Sequence, residues 1–260
     1  MKIKSITSYL ESIAPLFLQE EYDNSGLIIG NADDEVQGAL ICIDCTEAVV
    51  EEAIQKKCNL IIAHHPIVLS GLKKISGRNY IERVVLKAIQ NNIVIYAIHT
   101  NLDNVYQGVN KRICDKLGLS NCKFLLPKEH QAAAGSGMIG ILPKPMSEMD
   151  FLNKVKGVMK AGSIRYTGLL GKKVKKVAVC GGSGSFLLNA AIEAKADIFI
   201  TADFKYHQFF DADNKIVVAD IGHYESEQFT KELIHDLLKR KFSIFALRLS
   251  AINTNPVNYL

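Results

Sequence analysis

The chain has 260 residues, enough for one large domain or two small ones. Lys and Arg total 31 against 27 Asp and Glu, a formal net charge of +4, which is too weak a field to argue for nucleic-acid binding by itself. With 48% apolar and 22% charged residues the composition is that of a globular protein, which excludes disorder, collagen and coiled coil as readings of the whole chain.

Taken in chain order, amphipathic stretches alternate with short apolar, β-branched runs. A helix is expected over 3–17, then a strand over 39–44, a helix over 46–57, a strand over 60–63, a helix over 79–91 and a strand over 93–98. A helix over 105–117 follows. Beyond it come a strand over 138–142, a helix over 147–161, a strand over 177–180 and a helix over 185–195. Strands over 198–201 and 216–219, a helix over 223–239 and a strand over 244–249 complete the series. Several strands are almost wholly apolar, as strands covered on both faces are, and the rhythm is α/β. Composition shifts over 121–137, NCKFLLPKEHQAAAGSG, and a domain boundary is expected there. The uncharged stretches 58–72 and 131–143 are too short to span a membrane. The opening MKIKSITSYLESIAP has no continuous apolar core of the kind a secretory signal needs, and a cytoplasmic location is expected. Six scattered cysteines do not suggest a disulfide scaffold in a chain of this size.

Five residues carry the strongest chemical signal. His64 and His65 end an apolar strand in NLIIAHHP, and Pro66 turns the chain after them. In open α/β sheets, ligands bind outside the carboxyl ends of strands. Asp103 sits beyond the next strand, in IYAIHTNLDN. His223 and Glu227 open the helix after IVVAD with i,i+4 spacing, so they share a face. Three imidazoles and two carboxylates suit first-row divalent metals, and five side chains exceed what one open catalytic zinc needs. Adjacent histidines at a strand end, or one i,i+4 pair on a helix, are also common as caps and packing residues.

Read together, the motifs resemble the NGG-one-interacting-factor-three-like family, whose members carry the name GTP cyclohydrolase 1 type 2. The resemblance runs through YDNSGLIIG at 22–30, CIDCTEAVV at 42–50, IIAHHPIVL at 61–69, HTNLDN at 99–104, GGSG at 181–184, TADFKYH at 201–207 and GHYESE at 222–227. It implies two divalent metal ions per chain, zinc, iron, manganese or nickel, held by His64, His65, Asp103, His223 and Glu227. It implies two interlinked α/β domains, with 1–126 plus 216–260 forming the metal-bearing one and 127–215 the other. It also implies a toroidal homohexamer, a trimer of dimers, and the short form that lacks an inserted domain. Its reaction would be hydrolysis of GTP to 7,8-dihydroneopterin triphosphate and formate, water attacking C8 of guanine. A metal-dependent phosphoesterase, a nucleotide amidohydrolase and a metal-binding scaffold without turnover are the competing readings. Tyr22 stands where the family commonly has Trp, and Ala202 where it has Gly.

The resemblance also brings Asp23, Asn24 and His99 toward the metals as catalytic candidates, with His99 as proton carrier; Asp, Asn and Gly in this segment otherwise read as a plain turn. Asn101 flanks Asp103. GGSGS at 181–185 reads as a tight strand-to-helix turn, with anion binding through its amides as the alternative. His207 and the run Lys172, Lys173, Lys175 and Lys176 read as surface. Cys42 and Cys45 form C-x-x-C, but inside and just after a strand, where buried structural cysteines are expected.

Overall fold

The computed structural model describes residues 1–128, 133–242 and 245–260. The centre of the expected boundary segment, 129–132, and the first residue of the strand expected at 244–249 lie outside the described residues. In chain order the elements are α1 (Ile3–Ile13), β1 (Gly26–Ile29), β2 (Gly38–Cys42), α2 (Glu47–Gln55), β3 (Leu60–Ala63), α3 (Tyr80–Gln90), β4 (Val94–Ala97), α4 (Thr100–Asp103), α5 (Val109–Leu117), β5 (Ser120–Pro127), β6 (Gly135–Ser147), α6 (Glu148–Val158), β7 (Arg165–Tyr166), β8 (Lys173–Ser183), α7 (Leu188–Glu193), β9 (Ile198–Ala202), β10 (Val217–Asp220), α8 (His223–Glu227), α9 (Thr230–Lys241) and β11 (Ala246–Leu249).

The fold is mixed α/β, and the chain divides into two compact units, Met1–Leu102 with Thr230–Thr254, and Asp103–Phe229 with Asn255–Leu260. The division falls at 102/103 and 229/230, away from the expected 126/127 and 215/216. The reason is hydrogen bonding: β5 pairs with β6, and β10 with β9 and β7, so both join the second unit's sheet.

In the first unit the strand order is β1-β4-β3-β2-β11, with β4, β3, β2 and β11 parallel and β1 antiparallel to β4. Strands β2, β3 and β4 are buried along their whole length, which explains why each reads as an unbroken apolar run. Leu40, Ile61 and Ile95 pack there with Val49, Val50 and Val84 from α2 and α3. Each such side chain contributes about 1.5–3 kcal/mol of transfer free energy. Thr46 caps α2 by accepting from Val49 N at 3.3 Å, and Asn79 caps α3 by accepting from Glu82 N at 2.9 Å. The first helix stops at Ile13 and not at 17, because Ala14 precedes Pro15 and leaves the helical region.

In the second unit the order is β5-β6-β8-β9-β10-β7, with β8, β9 and β10 parallel. Ala178, Phe199 and Val218 build its core with Leu187, Leu188 and Ala191. The helix expected over 105–117 is shorter, since Gly108 is extended and α5 starts at Val109. The helix expected over 223–239 is two, α8 and α9, separated where Gln228 turns its amide onto Met159 O at 2.8 Å. Strands β1, β5 and β7 have no counterpart in the sequence reading. Among the described residues no helix is long and apolar enough to cross a membrane.

Candidate metal centre

Parallel pairing aligns the ends of β2, β3 and β4, where Cys42 pairs with Ala63 and Ala63 with Ala97. Asp44, His64, His65 and His99 therefore leave the sheet at one carboxyl edge. The main chain continues the ladder past the strands: His64 N donates to Cys42 O at 3.1 Å, His65 N to Ile43 O at 3.0 Å and Ile98 N to Ala63 O at 2.9 Å. The three imidazoles stand together, with ring centroids 4.9 Å (His64–His65), 5.3 Å (His64–His99) and 5.2 Å (His65–His99) apart. Each can offer one ring nitrogen within 4.8 Å of those of the other two.

Every one of these rings is fixed through Nδ1. His64, fully buried, donates Nδ1–H to Ile98 O at 2.9 Å. His65 Nδ1 is 2.7 Å from Asp44 Oδ1, and Thr254 donates to the other Asp44 oxygen at 2.6 Å. His99 Nδ1 is 2.8 Å from Asp23 Oδ1. A Nδ1–H donor puts the lone pair of a neutral ring on Nε2, the ligand atom. Burial pushes the Asp23 carboxyl up. The hydrogen bond and charge of His99, with Thr100 and Asn24 N–H as further donors, outweigh it and hold Asp23 well below the usual carboxylate range. Burial likewise opposes ionisation of Asp44, and His65 and Thr254 overcome it. Asn24, exposed, donates its amide to Val68 O at 2.6 Å, which anchors its loop. Asn101 is buried and bridges His99 N (3.0 Å) and Ala14 O (2.7 Å).

In the second unit, Asp103 ends α4, and α8 presents His223 and Glu227. His223 Nε2 lies 3.1 Å from Glu227 Oε2, while its Nδ1 lies 2.6 Å from Asp203 Oδ2. Asp203 follows β9, the strand next to β10, and also accepts from Ser183 Oγ. The His223 hydrogen bond, against burial, keeps Asp203 below its ordinary range. Carboxylate oxygens of Asp103 and Glu227 lie within 4.8 Å of each other. Glu227 drives the His223 pKa up to about 11, against burial and with help from Asp203. Gly182, at φ +62, backs directly onto this group, since a Cβ there would stand 2.4 Å from Glu227 Oε1.

The donor chemistry fits divalent cations. Nε2 lone pairs oriented by carboxylates or a carbonyl, and paired carboxylates that repel unless a cation sits between them, are what first-row metals require. Asp44 and Asp203 escaped the sequence reading. The signal available was their position immediately after strands β2 and β9.

Other candidates resolve differently. Gly181 N donates to Asn110 Oδ1 at 3.0 Å and Gly182 N to Ser226 Oγ at 2.8 Å, so these amides serve the turn. Lys175 Nζ donates to Leu142 O (2.7 Å) and Pro143 O (3.1 Å), and Lys176 Nζ to Ala194 O (3.1 Å). His207 is exposed. Cys42 and Cys45 are buried, and desolvation pushes the Cys45 thiol up to about 12 and Cys42 well above its ordinary value.

A profile of the family described as Duf34/NIF3 (NGG1p interacting factor 3) matches residues 1–256. A Clostridium acetobutylicum protein named GTP cyclohydrolase 1 type 2 homolog is 36% identical over 230 residues, covering 87% of this chain and 85% of the relative. A Staphylococcus epidermidis protein of the same name is 28% identical over 370 residues, covering 100% of both chains, so it carries inserted sequence that this chain lacks. The crystal structure of a Staphylococcus aureus hypothetical protein superposes with a TM-score of 0.93 at 32% identity, covering 100% of this chain and 99% of that one.

Proposed function

Because the chain belongs to the Duf34/NIF3 family, we propose that it is a metal-dependent hydrolase of nucleotides, with two divalent ions per chain held by His64, His65, Asp103, His223 and Glu227. The observation that carries this reading is the shared anchoring of the histidines. Each of His64, His65, His99 and His223 has its Nδ1 engaged by a carboxylate or carbonyl oxygen. When bound, such a metal pair supplies a Lewis acid and lowers the pKa of water at the site.

The chain's own residues then divide the remaining work. Asp44 and Asp203 hold His65 and His223 in the ligating tautomer. Asp23 stays ionised and keeps the Nδ1 proton of His99 in place, so His99 Nε2 takes a proton from water and returns it to the leaving group. Thr100 donates both its N–H and its hydroxyl to Asp23 Oδ2, which fixes the carboxylate that fixes His99. Gly182 leaves room for the Glu227 carboxylate. Asn24 anchors its loop through Val68 O.

GTP is the substrate that the relatives' names support, with 7,8-dihydroneopterin triphosphate and formate as products. Imidazole-rich ligation favours zinc, iron or nickel, with manganese accommodated by the carboxylates. The assembly that goes with this reading is a homohexamer. Metal stoichiometry and GTP turnover on one reconstituted sample test it. Two ions per chain with a pterin product support the cyclohydrolase. Two ions without GTP turnover retain the centre and refute the substrate, and no bound metal under any loading refutes the proposal. A His65→Ala chain with full turnover refutes the ligand assignment, and a monomeric mass by light scattering refutes the hexamer.

A further inference from the structure

We infer that the carboxy-terminal segment, residues 255–260, positions helix α8, with Asn255 and Tyr259 as positioning residues that act through Glu225, an assignment that rests on the reading of His223 and Glu227 as metal ligands.

Helix α8 (His223–Glu227) is five residues long, begins and ends with a proposed ligand, and has little stability of its own. Isolated helices shorter than about 12–15 residues are marginal in water. It starts after Gly222, at φ 92, with no side-chain cap. Its orientation therefore comes from what grips it. His223 and Glu227 share one face. Glu225 stands two residues from each, about 200° round the helix, and projects from the opposite side. It is nonetheless buried, and a carboxylate that leaves water needs donors.

The tail brings them. After α9 and β11 in the first unit, the chain returns to the second for residues 255–260. Asn255 Nδ2 donates to Glu225 Oε1 at 3.0 Å. The Asn255 amide is itself oriented, because its Oδ1 accepts from Val257 N at 3.1 Å. Tyr259 comes to the other oxygen: a Cβ on Gly222 would stand 2.2 Å from Glu225 Oε2 and 2.9 Å from the Tyr259 hydroxyl, so both converge on the glycine that opens α8. The Tyr259 ring is seated on Gly162, in the loop after α6. A Cβ there would stand 2.2 Å from Tyr259 Cδ2 and 2.8 Å from Cε2, so only glycine leaves space for the ring.

The far end of α8 has separate anchors. Ser226 Oγ accepts from Gly182 N of β8 at 2.8 Å and donates to His223 O at 2.7 Å, and Gln228 Nε2 donates to Met159 O at 2.8 Å. The tail holds the first turn, where His223 sits. Chain termini fray unless tied down, and this one is tied to the face of α8 that lies opposite the ligands.

The test is competition for zinc between the full chain and a chromophoric chelator well below Tm, with amide hydrogen exchange of the metal-free chain beside it. Asn255→Ala, Tyr259→Phe and Gly162→Ala, which unseats the ring, should each weaken zinc binding about 10-fold, the low end of the range for disturbed support of a ligand. Val257→Ala, at an exposed position of the same segment, should change nothing. In a Glu225→Ala background, Asn255→Ala and Tyr259→Phe should have no further effect, because both act through that carboxylate; a tail that merely stabilises the fold would give losses that add. In the metal-free chain the tail variants should speed exchange at Ser226 N and Gln228 N, bonded to Gly222 O at 3.0 Å and Tyr224 O at 2.7 Å, and leave β9 unchanged. Wild-type zinc affinity in all three variants, or equal losses with and without the Glu225 side chain, would overturn the assignment. An unsubstituted chain that binds no zinc refutes the metal centre instead; faster exchange at Ser226 and Gln228 then still supports the hold of the tail on α8, and unchanged exchange overturns it.

Discussion

Replacement of Gly182 by alanine isolates how far the carboxylate group depends on one close approach. The position is at φ +62, where a side chain costs about 1–2 kcal/mol. The backbone cannot rotate away, because Gly182 N is held by Ser226 Oγ at 2.8 Å and Gly182 O accepts from Thr201 Oγ1 at 3.1 Å. The new Cβ would stand 2.4 Å from Glu227 Oε1 and 3.2 Å from His223 Cε1. Restoring an ordinary C···O separation of about 3.3 Å moves that oxygen by about 0.9 Å. Ligand constellations tolerate about 0.5 Å, and Glu227 is buried with little room to yield.

Gly182→Ala is therefore expected to lower Tm by about 2–8 °C, at about 2–4 °C per kcal/mol for a chain of this size. Metal affinity should fall by about 10- to 100-fold, the range for disturbed support of a ligand. Thermal melts of the metal-free chain give the first number and chelator competition gives the second. Gly168→Ala is the control, since a Cβ there meets nothing within 4 Å, and it should change neither. Wild-type metal affinity in Gly182→Ala, whatever its Tm, would refute the argument that Glu227 is a ligand in the position described.

Three further outcomes follow from the same geometry. Asp23→Asn removes the charge that fixes His99, so turnover should drop at least about 100-fold while metal content stays unchanged; loss of metal instead would make Asp23 part of the ligand support. Asp44→Asn should weaken metal binding by about 10- to 100-fold through His65, read by the same competition assay, and an unaltered affinity would remove Asp44 from that role. Glu52 accepts from Ser250 Oγ, Ala251 N and Lys56 Nζ, contacts that outweigh burial and hold its carboxyl below the usual range. A depressed carboxyl means that the unfolded chain binds more protons. The Glu52 contribution is thus complete above about pH 4.3 and is lost as pH falls through the lower, folded-state value. Urea midpoints of Glu52→Gln should show a shallower loss over that acid range, and an unchanged pH dependence would contradict it.

Much of the fold was legible because buried parallel strands leave an unmistakable run: the 60–63 strand coincides with β3, and the 198–201 strand lies within β9. Strand β5 was obscured by Pro127 and by the alternation of exposed and half-buried positions at a sheet edge, which reads as a linker. Strand β7 is two residues long, too short for any period to show. His64, His65, Asp103, His223 and Glu227 stood out because each sits beyond an apolar strand, whereas His99 entered only through the family resemblance. Asp44 and Asp203 occupy equivalent positions, but an aspartate after a strand is ordinary turn chemistry. What distinguishes them is the identity of the neighbouring strand, a long-range fact that local sequence does not carry.

That neighbour relation supplies the common logic of both units. A histidine ligates with a defined nitrogen only if something holds the other one, and the nearest rigid point is the end of the adjacent strand. Asp44 closes β2 and serves His65 beyond its neighbour β3. The carbonyl of Ile98 beyond β4 serves His64 beyond β3. Asp203 closes β9 and serves His223 beyond β10. The remaining pair looks like an exception, because Asp23 precedes its strand. Yet β1 runs antiparallel to β4, pairing Gly26 with Ala97, so the start of β1 lies at the same edge as the end of β4, and Asp23 meets His99 there. The reversal of β1 is thus what allows an aspartate upstream of a strand to perform the task that elsewhere falls to one downstream.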